Sequence, residues 1–235
     1  MPAMKRLRFA VPVFPGTNCD HDAEHVLGTV LGQDVRMLWH DARSLKGADV
    51  VVVPGGFAHG DYLRTGAIAR FSPVMKAVAA HARAGKPVIG ICNGFQVLCE
   101  AGLLPGVLTR NLSLQFACKF VHLKVENLET VFTRRCFPGQ VLRMPIAHGE
   151  GRYTIHARDL KALKKSGGVV FRYSDEDGNI TPASNPNGAT DNIAGVMNAR
   201  GNVVGLMPHP ERAAEEVLGS TDGRLLFESV IESLN

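Results

Sequence analysis

The segment Gly90-Ile91-Cys92-Asn93-Gly94 places a thiol at the end of an apolar run, with a glycine two residues to either side. That spacing matches a nucleophile elbow, in which a strand turns sharply into a helix and presents the nucleophile at the sheet edge. The glycines leave room for the turn. Asn93 then opens the helix, so its N–H can face an oxyanion, and the helix N-terminus favours thiolate over thiol at Cys92. The plain alternative is a buried cysteine ending a core strand. A nucleophile needs a base and a group to orient that base. Met207-Pro208-His209-Pro210-Glu211-Arg212 supplies both residue types. Each proline fixes its own φ and biases its predecessor towards extended geometry. In an extended segment His209 and Glu211 point to one side, so Glu211 can accept the ring N–H and leave the other nitrogen for a thiol. The alternative is a loop histidine beside a solvated glutamate. Val53-Pro54-Gly55-Gly56-Phe57 is the third element. Gly55 and Gly56 follow an apolar run and let backbone N–H groups approach a substrate closely. On its own the pair also reads as a simple strand-to-loop turn.

These segments must share one edge of a scaffold. The first half alternates strand-like and helix-like stretches: strands at 7–14, 34–40, 48–56 and 87–92, helices at 20–32, 72–86 and 95–106. Such a rhythm implies a parallel sheet with helices on both faces, and ligands bind at the carboxyl ends of its strands. From about Leu112 the rhythm changes. The stretches 112–127, 130–135 and 141–149 read as strands without intervening helices, which points to an antiparallel extension. A short helix at 156–167, a strand at 169–174, a turn-rich loop at 175–192, a hairpin at 193–209 turning at Asn198–Asn202, and a terminal helix at 223–234 complete the chain. The expected fold is α/β, an open, mostly parallel sheet with an antiparallel extension, as a single domain over 1–235.

Composition excludes several classes. With 45% hydrophobic and 20% charged residues the chain is globular in character. The net charge of +4 is scattered rather than gathered in a stripe, which argues against a nucleic-acid partner. No apolar run is long enough to cross a bilayer. The basic start, MPAMKRLRFAVPVF, reads as a first strand rather than a leader, so a cytoplasmic protein is expected. Five cysteines without a CxxC pair give neither a disulfide framework nor a metal site. Neither GxxxxGK[ST] nor GxGxxG occurs, so no nucleotide loop is expected on this chain.

With these residues in view, the chain resembles the class I, triad-type glutamine amidotransferases. Longer blocks resemble one branch of that family, the glutaminase subunits of phosphoribosylformylglycinamidine synthases in purine biosynthesis. Those blocks are 14–20, 60–64, Asn111 with Ser113 and Phe116, 145–151, and 205–212. Where the family often carries Ser-Tyr, this chain has Ala58-His59. The resemblance implies that Cys92 attacks the glutamine carboxamide, His209 protonates the leaving ammonia and then activates water, and Glu211 orients His209. It implies an oxyanion site near Gly56 and Asn93, a buttressing role for Gln96, and an Asn111–Phe116 segment that takes the amino-acid end of glutamine. It implies no cofactor on this chain. The partners would be a larger synthetase subunit, which carries ATP and Mg and converts formylglycinamide ribonucleotide to formylglycinamidine ribonucleotide, and a small third subunit. Asn18, Cys19, Asp20 and the His148–Gly151 segment have no obvious place in the triad, and some of them are expected to face the synthetase or to couple glutaminase activity to it; the plain alternative is loop capping, since Thr17, Asn18 and Asp20 are good N-cap types. Two other readings remain open here: another cysteine hydrolase on a similar sheet, such as a γ-glutamyl hydrolase or a DJ-1-like protein, and a non-catalytic binding subunit.

Overall fold

A computed structural model of the chain describes residues 5–235; the first four residues of the stretch read as a leader-free start, 1–4, lie outside the described residues. The first half alternates as expected. Strand β1 (Arg8–Val13) leads to helix α1 (Asp20–Glu24), which continues as a π-helical stretch over His25–Val30. There the Leu31 N–H reaches the Val26 carbonyl, five residues back. Strands β2 (Asp34–Trp39) and β3 (Val50–Val53), helix α2 (Pro73–Arg83), strand β4 (Val88–Ile91) and helix α3 (Asn93–Glu100) follow. Strand β3 is Val-Val-Val-Val and wholly buried, as a strand covered on both faces requires.

The second half comprises β5 (Val107–Thr109), β6 (Ala117–Val125), β7 (Val141–His148), β8 (Arg152–Thr154), α4 (Ala157–Lys165), β9 (Val169–Ser174), β10 (Ile193–Met197), β11 (Val203–Leu206) and α5 (Arg224–Ser233). The stretch 130–135 is not a strand but a run of turns. The Thr130 hydroxyl accepts the Phe132 N–H, and the Thr133 hydroxyl donates to the Thr130 carbonyl. These local bonds compete with a strand ladder.

Nine strands form one sheet in the order β2-β1-β3-β4-β11-β10-β9-β6-β7, and β5 pairs with β8 in a small second sheet. Pairings from β2 to β11 are parallel; those from β11 to β7 are antiparallel. The expected antiparallel extension is present and supplies half of this sheet's pairings. From β1 the chain moves one way to β2, then back past β1 to β3 and β4. Right-handed crossovers in opposite directions put α1 and α2 on opposite faces. The switch point lies between β1 and β3, where ligand sites form in open α/β sheets.

Strand direction decides which loops meet. β1, β3, β4 and β11 run the same way, so Cys19, Gly55–Gly56, Cys92 and His209 all lie beyond one edge. Four antiparallel steps return β7 to that direction, so its end, Ala147–His148, reaches the same edge. The His209 N–H also donates to the Pro145 carbonyl at 2.9 Å although β7 is four strands from β11. The twisted antiparallel half therefore curls back over the edge.

Candidate active site

Cys92 follows β4 with φ +50° and ψ −107°, a conformation strongly disfavoured for a residue with a Cβ. It is held by what surrounds it. The Cys92 N–H donates to the Leu206 carbonyl at 2.8 Å, and α3 starts at the next residue. A Cβ on Gly94 would overlap the Val53 carbonyl, so α3 lies directly against the end of β3. The elbow geometry read from Gly90–Gly94 is thus present, with its strain at Cys92.

His209 is 1% exposed and Glu211 2%. The ring Nδ1 lies 2.5 Å from Glu211 Oε1, so Nδ1 carries the proton that the carboxylate accepts. Nε2 is buried and has no hydrogen-bond partner within the protein. Burial alone would weaken the imidazole's hold on a proton. The Glu211 carboxylate and the neighbouring sulfurs of Cys92 and Cys19 outweigh it and raise the His209 pKa well above the ordinary value.

Gly55 is where these groups converge. A Cβ there would sit 2.9 Å from His209 Cε1, 3.1 Å from Cys19 Sγ and 3.4 Å from Cys92 Cβ. Gly56 has φ +140°, and a Cβ would approach the Asn18 nitrogen at 2.7 Å. The Gly-Gly pair is thus a requirement of close packing between the loops after β1, β3, β4 and β11.

Cys19 was not read from the sequence as a neighbour of His209. It is buried, accepts a hydrogen bond from Arg212 Nη2 at 3.2 Å, and donates to Asn18 Oδ1 at 3.1 Å. Burial raises its pKa, with His209 and Arg212 pulling the other way. Ligand atoms of Cys19, His209 and Glu211 lie within 4.8 Å of one another. That cluster does not suit a cation, because Glu211 is committed to the ring and the Arg212 guanidinium already occupies the Cys19 sulfur.

A cavity of about 200 Å³ opens beside Cys92. Gly56, Gln96 and Phe116 line it, together with Phe57, Asp61, Thr65 and the segment Ala147–Glu150. It is smaller than the clefts of roughly 300–1,000 Å³ that take drug-sized ligands, a size suited to a single amino acid. Asn93 is buried behind the wall. Its Nδ2 donates to Asp61 Oδ1 at 3.2 Å and Gln96 Oε1 at 2.9 Å, and its Oδ1 accepts the Ala58 N–H. Gln96 Nε2 donates to the Glu150 carbonyl at 2.6 Å.

Of the Asn111–Phe116 segment, Phe116 reaches the cavity and the side chains of Asn111 and Ser113 do not. Asn111 is fully buried. Its Nδ2 donates to the carbonyls of Gln115 and His148, and its Oδ1 accepts from Gly151 N and His148 Nδ1. Ser113 is exposed and its hydroxyl accepts the Gln115 N–H. Cys19, Asp20 and His148, expected in part to face a partner, are buried. His21 is exposed, and His25 binds Glu215 at 2.8 Å.

An open α/β sheet with a thiol, an imidazole and a carboxylate at its carboxyl edge is the frame of the class I glutamine amidotransferases. The family model for CobB/CobQ-like glutamine amidotransferase domains matches residues 6–224. The phosphoribosylformylglycinamidine synthase subunit PurQ of Moorella thermoacetica is 56% identical over 96% of both chains, and that of Salinibacter ruber is 55% identical over 97% of both. The solved structure of PurLQS from Thermotoga maritima superposes with a TM-score of 0.86 at 42% identity, covering 98% of this chain and 100% of that one. The chain belongs to the CobB/CobQ-like glutamine amidotransferase family and, within it, to the PurQ subunits of phosphoribosylformylglycinamidine synthase.

Proposed function

We propose that the chain supplies ammonia to its synthase by hydrolysing glutamine, with Cys92 as nucleophile, His209 as acid and base, and Glu211 as the group that orients His209. The observation that carries this reading is His209 itself: its Nδ1 is held by Glu211 while its unpartnered Nε2 lies among the sulfurs beside the cavity. The Cys92 thiolate attacks the glutamine Cδ and forms a C–S bond. The carboxamide oxygen takes the negative charge, received by the N–H groups of Gly56 and Asn93. His209 donates its Nε2 proton to the nitrogen, the C–N bond breaks, and ammonia leaves a glutamyl thioester. His209 then takes a proton from water, which attacks the thioester; glutamate departs and the thiol is restored. Cys92 rather than Cys19 is the nucleophile because Cys92 lines the cavity and heads α3, whereas burial holds Cys19 as a thiol.

The relatives' name as synthase subunits and the PurLQS structure support a partnership with a synthetase subunit and a small third subunit. ATP, Mg and formylglycinamide ribonucleotide would be handled by the synthetase, with no cofactor required here. No helix among the described residues is long and apolar enough to cross a membrane. A cytoplasmic location suits the proposed purine-biosynthetic role.

The test is nitrogen-source dependence in the reconstituted synthase. A complex carrying Cys92→Ala should make no formylglycinamidine ribonucleotide from glutamine and should still make it from ammonium. Glutamine-driven synthesis at the wild-type rate in that complex would overturn the reading.

A further inference from the structure

We propose that Asp61 and Glu150 receive the α-ammonium group of the substrate, so that the cavity selects an α-amino acid amide over an amide lacking that group. The inference rests on the glutaminase reading and names how the same cavity recognises its ligand.

Both carboxylates line the Cys92 cavity, one from the loop after β3 and one from the turn after β7. Neither is paired with a buried cation. Asp61 accepts one hydrogen bond, from Asn93 Nδ2, although an ionised carboxylate offers about four acceptor sites. Glu150 accepts from the Thr65 hydroxyl at 3.2 Å, and its nearest cation is the exposed Arg110, 3.7 Å away. Burial, and then the charge of Glu150, raise the Asp61 pKa to about 6. Burial and a like charge both disfavour the Asp61 carboxylate, and a cation beside it would offset both.

A second, independent feature points the same way. His148 lines this cavity, is 3% exposed, and its Nε2 has no protein partner. Its tautomer follows from Asn111. Two carbonyls fix the Asn111 amide nitrogen and the Gly151 N–H fixes its oxygen, so that oxygen must accept a proton from His148 Nδ1. Burial depresses the His148 pKa to about 4, so the ring is neutral at pH 7. Nε2 is therefore a bare acceptor. Meanwhile the Gln96 amide donor is spent on the Glu150 carbonyl. The wall thus offers three under-used acceptors, two of them anionic. An ammonium group, with three donors, one positive charge and no acceptor, is the complementary ligand group.

The chain also strains itself to place Asp61. His59, Gly60 and Asp61 have φ of 56°, 68° and 52°, a left-handed run. Bonds from His59 N to the Pro15 carbonyl, from Gly60 N to the Phe57 carbonyl, and from Ala58 N to Asn93 hold it. Strain that neighbours over-determine in this way concentrates at ligand sites.

The test compares rates of Cys92 alkylation in the full chain assembled with its partners, read by peptide mass spectrometry. Three reagents are used: 6-diazo-5-oxo-L-norleucine, 6-diazo-5-oxohexanoate, which is the same diazo-ketone without the ammonium, and iodoacetamide. Wild type should react faster with the amino-acid reagent than with its des-amino form. Asp61→Asn and Glu150→Gln should each slow the amino-acid reagent by about tenfold or more, the scale of a lost charge-assisted contact. The iodoacetamide rate reads any change in thiol reactivity, and the ratio of the amino-acid to the des-amino rate should fall by at least as much. If Asp61→Asn slows all three reagents through a local fold change, Glu150→Gln alone decides. Wild-type rates with 6-diazo-5-oxo-L-norleucine in the deciding variants would overturn the inference while leaving the glutaminase reading intact. Failure of wild-type Cys92 to react with that reagent, while still reacting with iodoacetamide, would overturn both.

Discussion

His209 has two sulfur neighbours, and their surroundings assign different work to each. Cys92 sits in a strained elbow on the cavity wall, whereas Cys19 is locked between Arg212 and Asn18. Cys19→Ser should therefore leave glutamine hydrolysis within about tenfold of wild type, while Cys92→Ser should abolish it, as steady-state glutamate release will read. Glu211→Gln keeps the shape but no longer stabilises the imidazolium. It should lower kcat by about a hundredfold or more with little change in KM. Asp61 gives a stability prediction with a definite sign. Its pKa is about 6 in the fold against 3.8 for a free side chain, so the folded state binds that proton more tightly. The ionised carboxylate consequently destabilises the fold, an effect absent below pH 4 that grows as pH rises through 6. Asp61→Asn should be more stable than wild type at pH 7, by about 1 kcal/mol once solvent screening is discounted. The two should unfold alike at pH 3.5. Equal urea midpoints at both pH values would contradict this.

At the scale of elements, the elbow depends on how closely α3 can approach β3. Gly94→Ala puts a methyl group into the Val53 carbonyl. Relaxing that overlap should cost about 1–3 kcal/mol in urea unfolding and displace Cys92, so that the loss of activity exceeds the loss of stability. Much of this architecture was legible in the sequence. The runs at 50–53 and 88–91 are apolar throughout because both faces are covered, and Pro54-Gly55-Gly56 and Gly90–Gly94 mark where strands end. The thiol, imidazole and carboxylate proposed as a triad were legible as residue types because they fall at element ends with fixed spacing. The acidic wall was not. Asp61 and Glu150 come from loops 89 residues apart, and only the curl of the antiparallel half brings them together. Cys19 was missed as a neighbour of His209 for the same reason, since the adjacency arises at the β1–β3 switch point. The strand expected at 130–135 failed because threonine, a good strand former, also closes its own turns, as Thr130 and Thr133 do here.

For the whole molecule, the cavity mouth shows what an ammonia-delivering subunit must cover. Phe57 and Phe116 are 47% and 55% exposed at the cavity, and Leu63 and Leu114, from the same two loops, are 93% and 78% exposed. Apolar side chains this open in the two loops that reach the cavity suit burial against the synthetase, where released ammonia would be kept from bulk water. Leu63→Asp and Leu114→Asp should each weaken assembly with the synthetase by about tenfold or more in analytical ultracentrifugation. Wild-type association in both would place the interface elsewhere. The central claim, that Cys92 opens the carboxamide of glutamine, is tested most directly by a single labelling measurement. The chain, with its partners present, is treated with 6-diazo-5-oxo-L-norleucine and mapped by peptide mass spectrometry. One adduct is expected, on Cys92 and not on Cys19, and excess glutamine should suppress it. An adduct on Cys19, or none on Cys92, would contradict the claim.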